Sequence, residues 1–171
     1  ILPFNERIFP STVVNALRIE PETDISIRVR DNTIYIKPKE GWPNQFKIFI
    51  SRNLSDYNNN KLTAPIQLLF SLSEDNAVLN TIEGLIFNAD STKIYELALL
   101  DRNLSIISKT ESNSNGEFNF LVTNNNPSNI ILALENQITD NFINDIRIKK
   151  YGISNRPINS NYNPIYISEP I

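Results

Sequence analysis

The strongest constraint on this chain is an alternation of apolar and polar residues with a period of two across positions 1–75. Ile25, Ile27 and Val29 alternate with Ser26, Arg28 and Arg30, and Asp31-Asn32 then turns the chain. Ile34 and Ile36 alternate with Tyr35 and Lys37 on the way back. Successive side chains of a strand point to opposite faces, so the pattern predicts a hairpin with one buried face. Pro38 ends it, and Lys39-Glu40-Gly41-Trp42-Pro43-Asn44 is a loop. Phe46, Ile48 and Ile50 resume the alternation. Ser55 to Asn60 is a second polar turn, followed by Ile66, Leu68, Phe70 and Leu72. A further strand is expected over Val13 to Ile19, closing at Pro21, and Ile1 to Phe4 reads as the tail of another. The start at an apolar Ile, without an initiator Met, suggests a trimmed fragment with its first strand upstream.

Ser73 to Asn80 is polar, breaks the pattern and is the expected domain boundary. Beyond it, Thr81 to Phe87, Tyr95 to Asp101, Ser105 to Glu111, Glu117 to Val122 and Asn129 to Glu135 are apolar runs separated by turns. The turns are Asn88-Ala89-Asp90-Ser91, Asp101-Arg102-Asn103, Asn113-Ser114-Asn115-Gly116 and Asn124-Asn125-Asn126-Pro127. Short strands at regular spacing indicate a sandwich or barrel. Ile94 to Ile107 is apolar enough to fit a buried helix as well. Thr139-Asp140 followed by Phe142, Ile143 and Ile146, with Arg147, Lys149 and Lys150 before Gly152, has the cap, spacing and charge order of a short helix. Ile146 and Ile148 also alternate as a strand does. Ser154 to Pro164 is a loop, and Ile165-Tyr166-Ile167 a last strand. The expected architecture is all-β: two tandem β-sandwich domains over 1–75 and 78–137, then a tail, 138–171.

Composition narrows the chemistry. Ile and Asn each occur 26 times in 171 residues, which favours buried strands joined by turns rich in Asn. His, Cys and Met are absent, which removes thiol nucleophiles, disulfides, imidazole or thiolate metal sites and every triad that needs His. With Lys+Arg 16 against Asp+Glu 19 the net charge is −3, and no basic cluster marks a nucleic-acid binder. No apolar run approaches the ~20 residues that span a bilayer, and the start lacks the layout of a signal peptide.

Several residues invite a functional reading beside a plain one. Trp42, the single Trp, sits on a Gly-Trp-Pro loop where it can stack on a sugar ring or enter a partner's pocket. A loop Trp more often caps the open end of its own sandwich. Asp56, Asn58 and Asn60 have the alternating oxygens with which a calcium loop begins, but Lys61 stands where that loop needs Gly, and the distant bidentate Glu is missing. An Asx-rich turn is the favoured reading, so no metal or other cofactor is expected. Glu20, Glu22 and Asp24 could supply a carboxylate pair of the kind glycosidases use, yet nothing around them suggests burial, and a solvated turn is favoured. Arg28, Arg30 and Lys37 around Tyr35 read as an exposed sheet face in preference to an anion site. Val78 to Phe87 and Ile130 to Leu134 could add to another chain at a sheet edge, although core strands are the commoner outcome.

Two resemblances follow from motif order. Phe4-Asn5-Glu6, Ser11-Thr12-Val13, Leu17-Arg18-Ile19-Glu20-Pro21, Asn32-Thr33-Ile34-Tyr35-Ile36-Lys37-Pro38, Asp56-Tyr57-Asn58-Asn59-Asn60-Lys61-Leu62 and Phe70-Ser71 succeed one another as in a bacterial Ig-like domain of the S-layer type. Asn59 stands where that turn usually has Gly, and Asn tolerates the positive φ required there. Leu72 replaces the usual Thr. The second half, from Ile82-Glu83-Gly84 through Leu97-Ala98-Leu99-Leu100-Asp101 to Thr110 and Gly116-Glu117-Phe118-Asn119-Phe120, resembles a carboxypeptidase-regulatory-like, transthyretin-type sandwich. Here the insert before Gly116 is longer, and Asn126-Pro127-Ser128-Asn129 replaces the Pro-Gly-x-Tyr turn.

Together the resemblances imply tandem Ig-like and transthyretin-like sandwiches, as in envelope proteins of Bacteroidota-like bacteria. They imply a non-catalytic structural or binding module of the cell envelope or of a secreted protein, whose partners are proteins or glycans at the cell surface. The alternatives are a carbohydrate-binding accessory segment of a larger hydrolase and a subunit of a surface layer or filament.

Overall fold

The alternation of the sequence becomes strands wherever one face has a core to bury against. A computed structural model describes residues 1–72, 80–122, 126–139, 141–154, 158 and 162–171. Among them the chain is all-β, with thirteen strands and two short helices. It divides into two compact units, Ile1–Asn76 and Ala77–Ile171. The expected boundary at Ser73 to Asn80 and the Asn124-Asn125 turn fall almost wholly outside the described residues, as does much of the Ser154 to Pro164 loop.

In the first unit, β1 (Leu2–Pro3), β4 (Thr33–Pro38) and β3 (Ile25–Arg30) form one antiparallel sheet in the order β1-β4-β3. A second, in the order β2-β5-β6, contains β2 (Leu17–Glu20), β5 (Gln45–Ile50) and β6 (Ile66–Ser71). Ile34 from the first sheet and Ile19, Phe46, Ile48 and Ile50 from the second share one core, joined by Val13, Ala16 and Leu54. Each fully buried aliphatic side chain contributes about 1.5–3 kcal/mol. The Asp31-Asn32 turn closes the hairpin as expected, with Asp31 at φ 51°. Asn59 takes φ 63°, the left-handed conformation that Asn tolerates. The alternation of β6 fades at its end, where Phe70 and Leu72 are exposed.

One expected strand is corrected. Of the Val13 to Ile19 segment only Leu17 to Ile19 is extended, within β2, and Pro10–Ala16 is a helix, α1. Pro10 presets the helical φ in the first turn, where its missing N–H costs nothing. The Thr12 hydroxyl and backbone N–H both donate to the Phe9 carbonyl, at 2.8 and 3.1 Å. Val13 and Ala16, three residues apart, then share the buried side of the helix while Val14 is exposed. An alternating strand would instead have put polar Asn15 on the same face as Val13 and Leu17.

The second unit packs two sheets face to face. One, ordered β10-β7-β13, joins β10 (Glu117–Val122), β7 (Asn80–Phe87) and β13 (Asn163–Tyr166). The other, ordered β12-β11-β8-β9, joins β12 (Tyr151–Ile153), β11 (Ile130–Glu135), β8 (Tyr95–Leu100) and β9 (Ile106–Glu111). Ile82, Ile86, Tyr95, Leu97, Leu99, Phe118, Phe120, Ile131 and Ile165 fill the space between. The Ile94 to Ile107 stretch is two strands about the Asp101 turn, since Leu97 and Leu99 face this core while Ala98 and Leu100 face a second one.

That second core lies on the outer face of the four-stranded sheet, under Ile138, Phe142 and Ile146. The undecided segment is therefore helical, but only over Phe142–Asp145, as α2. Its N-cap is Asn141, without a side-chain cap bond, and Thr139 instead donates from N–H and hydroxyl to Asp145. Residues expected in a tail supply a strand to each sheet: Gly152 pairs with Ala133, and Ile165 runs parallel beside Ile86.

Candidate functional site

The residues singled out from sequence fall in separate places. Trp42 is half-buried and stacks on Phe46, with ring centroids 4.3 Å apart and planes 7° from parallel. Phe46 in turn stacks on Phe70 at 5.0 Å. The indole face is thus engaged by its own core.

Asp56 organises a turn. Its Oδ1 accepts the backbone N–H groups of Asn58 and Asn60, both at 2.8 Å, and Oδ2 accepts the Asn60 amide at 2.7 Å. Although partial desolvation opposes ionisation, these bonds and one from Glu6 hold the Asp56 carboxyl below its ordinary value. Glu6 was not anticipated from sequence. Its hydrogen bond to Asp56, and the repulsion between the two carboxylates, raise its own carboxyl above the usual range. Both Asp56 oxygens, the charged ligands that a cation would need, already accept N–H groups. Among the described residues no three Asp, Glu, His or Cys converge as a metal site.

The carboxylates of the Glu20 to Asp24 turn also take separate partners. Glu20 is held by Arg18 Nε at 3.0 Å and by the buried Lys47 Nζ at 2.7 Å, while Asp24 pairs with Lys39 at 2.7 Å and Glu22 is exposed. Arg18 lies over the Phe49 ring, 3.9 Å from its centroid. Arg28, Arg30, Tyr35 and Lys37 share the exposed face of the β3–β4 hairpin, with Arg28 directly opposite Tyr35. Strand β7 lies between β10 and, over residues 84–87, β13, and β11 lies between β8 and, over residues 132–134, β12, so both are interior strands of their sheets; Val78 lies outside the described residues. No helix among the described residues is long and apolar enough to cross a membrane.

A cavity of about 420 Å³ with mixed lining lies at one end of the second unit, between the 88–93 turn and the 112–116 turn. Pairing of β7 with β10 brings the two turns together, because Phe118 lies opposite Gly84 and the Ile86 N–H donates to the Gly116 carbonyl at 2.9 Å. Gly116 has φ 83°, and a Cβ there would meet the Ile86 carbonyl at 2.8 Å, so the approach requires glycine.

Both turns are fixed from within. Asp90 Oδ1 accepts the Thr92 N–H and hydroxyl at 2.9 and 2.7 Å, and these bonds hold its carboxyl below the ordinary range. The Asp90 N–H reaches the hydroxyl of buried Tyr95 at 3.2 Å. Asn113 Oδ1 accepts the N–H groups of Asn115 and Glu117 at 2.9 and 3.0 Å. Phe87 lines the cavity, and its ring stacks at 4.9 Å on Tyr166, its neighbour across the parallel β7–β13 pair. Turn chemistry was visible in sequence at both loops. Nothing in the local pattern marked Phe87 or Tyr166, because their meeting depends on a strand pairing between distant segments. We compared the chain with protein-family models, curated proteins and solved structures, and none matches it.

Proposed function

We propose that the chain is a non-catalytic structural or binding module of a bacterial cell-envelope or secreted protein, built of Ig-like and transthyretin-like sandwiches. The observation that carries this reading is the employment of four carboxylates. Glu20 bridges Arg18 and Lys47, Asp56 and Asp90 hold turns, and Asp145 pins its own segment through Thr139 and Lys149. Groups committed to fixed partners in this way serve the fold, whereas acid–base catalysis needs a carboxyl free to exchange a proton with substrate.

A second reading, a carbohydrate-binding accessory segment, is favoured by one feature: the Phe87–Tyr166 ring pair beside a cavity rimmed with Asn and Ser. The test is incubation of the whole chain with bacterial cell-wall preparations. A binding module associates saturably and releases no soluble product. Appearance of new reducing ends or free amines, in proportion to added chain, overturns the proposal.

A further inference from the structure

We infer that the cavity between the 88–93 and 112–116 turns, which Phe87 helps to line, is a binding site for an uncharged oligosaccharide. The inference rests on the binding-module reading and gives that module a ligand class and a location.

Three observations lead there. The first is shape: about 420 Å³ falls within the roughly 300–1,000 Å³ of small-ligand sites. The second is the kind of surface. A sugar ring carries C–H groups on its faces and hydroxyls around its edge, so it calls for a ring to stack on and for amides or hydroxyls at its rim. Phe87 is in the lining, and its ring stacks on that of Tyr166, which is exposed over 55% of its surface, so an aromatic surface adjoins the cavity. Asn88, Ser91, Ser114 and Asn115 line the same space, are exposed, and offer donors and acceptors at the rim.

The third observation is charge. Lys93 is neutralised by Glu135 at 3.1 Å, whereas Asp90 keeps its negative charge and spends Oδ1 on the N–H and hydroxyl of Thr92. The retained Asp90 carboxylate disfavours an anion and can accept from a hydroxyl, so a neutral polyhydroxyl compound fits best. Asp90 and Asn113 fix the two turns before any ligand arrives, which lowers the ordering cost of binding.

The experiment is a titration of the full chain, labelled with ¹⁵N, with neutral linear glucose-, mannose- and galactose-based tetrasaccharides, followed by amide shifts. At least one should give saturable shifts centred on Asn88, Ser91 and Asn115. Ser91→Ala with Asn115→Ala, both on exposed loop positions, should weaken that binding about tenfold or more. Tyr166→Ala should weaken tetrasaccharide binding more than binding of the matching disaccharide. The thermal transitions of the variants, compared with the parent, verify that they fold. Failure of all three sugars to shift these amides, shifts centred elsewhere, or unchanged affinity in the folded double variant each overturns the inference. Cleavage of a bound tetrasaccharide would instead overturn the non-catalytic reading while leaving the site in place. Absence of both binding and cleavage removes the site and leaves that reading standing.

Discussion

Glu96 and Lys109, on neighbouring strands β8 and β9, grip the two backbone polar groups of a single residue. Glu96 Oε2 accepts the Ile138 N–H at 2.6 Å, and Lys109 Nζ donates to the Ile138 carbonyl at 2.6 Å. Ile138 is 1% exposed and anchors the second core of its unit. A buried peptide group outside any ladder must find partners, and here strand side chains supply them. Glu96→Ala should cost about 1–3 kcal/mol, the penalty of a stranded buried N–H. Glu96→Gln keeps an acceptor and should cost less. Urea midpoints of the two variants, measured together, give the comparison.

Asp145 supplies a pH dependence. Burial by itself raises its carboxyl, but the bonds from Thr139 and the Lys149 ammonium outweigh burial and hold it below the ordinary range. The folded chain therefore binds fewer protons here than the unfolded one. The contribution is complete above the unfolded value, about 3.9, and is lost as pH falls through the lower folded value. Asp145→Asn should be less stable than the parent at neutral pH. The gap should narrow below about pH 4, which denaturation midpoints across that range would register.

Gly84 marks a close approach rather than a flexible joint. A Cβ there would collide with the Asn163 carbonyl of β13 and with the Phe118 ring. Gly84→Ala should cost about 1–3 kcal/mol through overpacking, and should disturb the β7–β13 pairing first. Earlier hydrogen exchange at Ile165 than in the parent would report it.

Trp42 should behave as a packing residue. Its stack on Phe46 predicts that Trp42→Ala lowers stability by about 2 kcal/mol, from lost apolar burial and ring contact. Titration with a neutral oligosaccharide should leave its fluorescence unchanged. A variant with unaltered melting temperature and lost sugar binding would return Trp42 to the role of a sugar platform.

Much of the fold was legible because a half-buried strand imprints its period on the chain. The β3–β4 hairpin, β5 and the strands from β7 to β11 all stand where alternation or short apolar runs placed them. The Asn turn at position 59 was legible too, since few other residues accept its positive φ. Misreading came where apolar content stood in for alternation. Val13 to Ala16 is apolar enough to suggest a strand, but Asn15 breaks the alternation, and Pro10 with burial of one helical side makes the segment a helix.

Local sequence determined which residues extend, which turn, and which face of each strand is oily, because those preferences arise within a few residues of backbone and side chain. Tertiary structure alone decided which strands became neighbours. That decision set Tyr166 against Phe87, brought the Asn88 and Asn113 turns to one cavity, and gave Ile138 its two polar partners. Such meetings depend on contacts between distant segments, whose energy is gained only once the sheets close, so no local window of the chain records them.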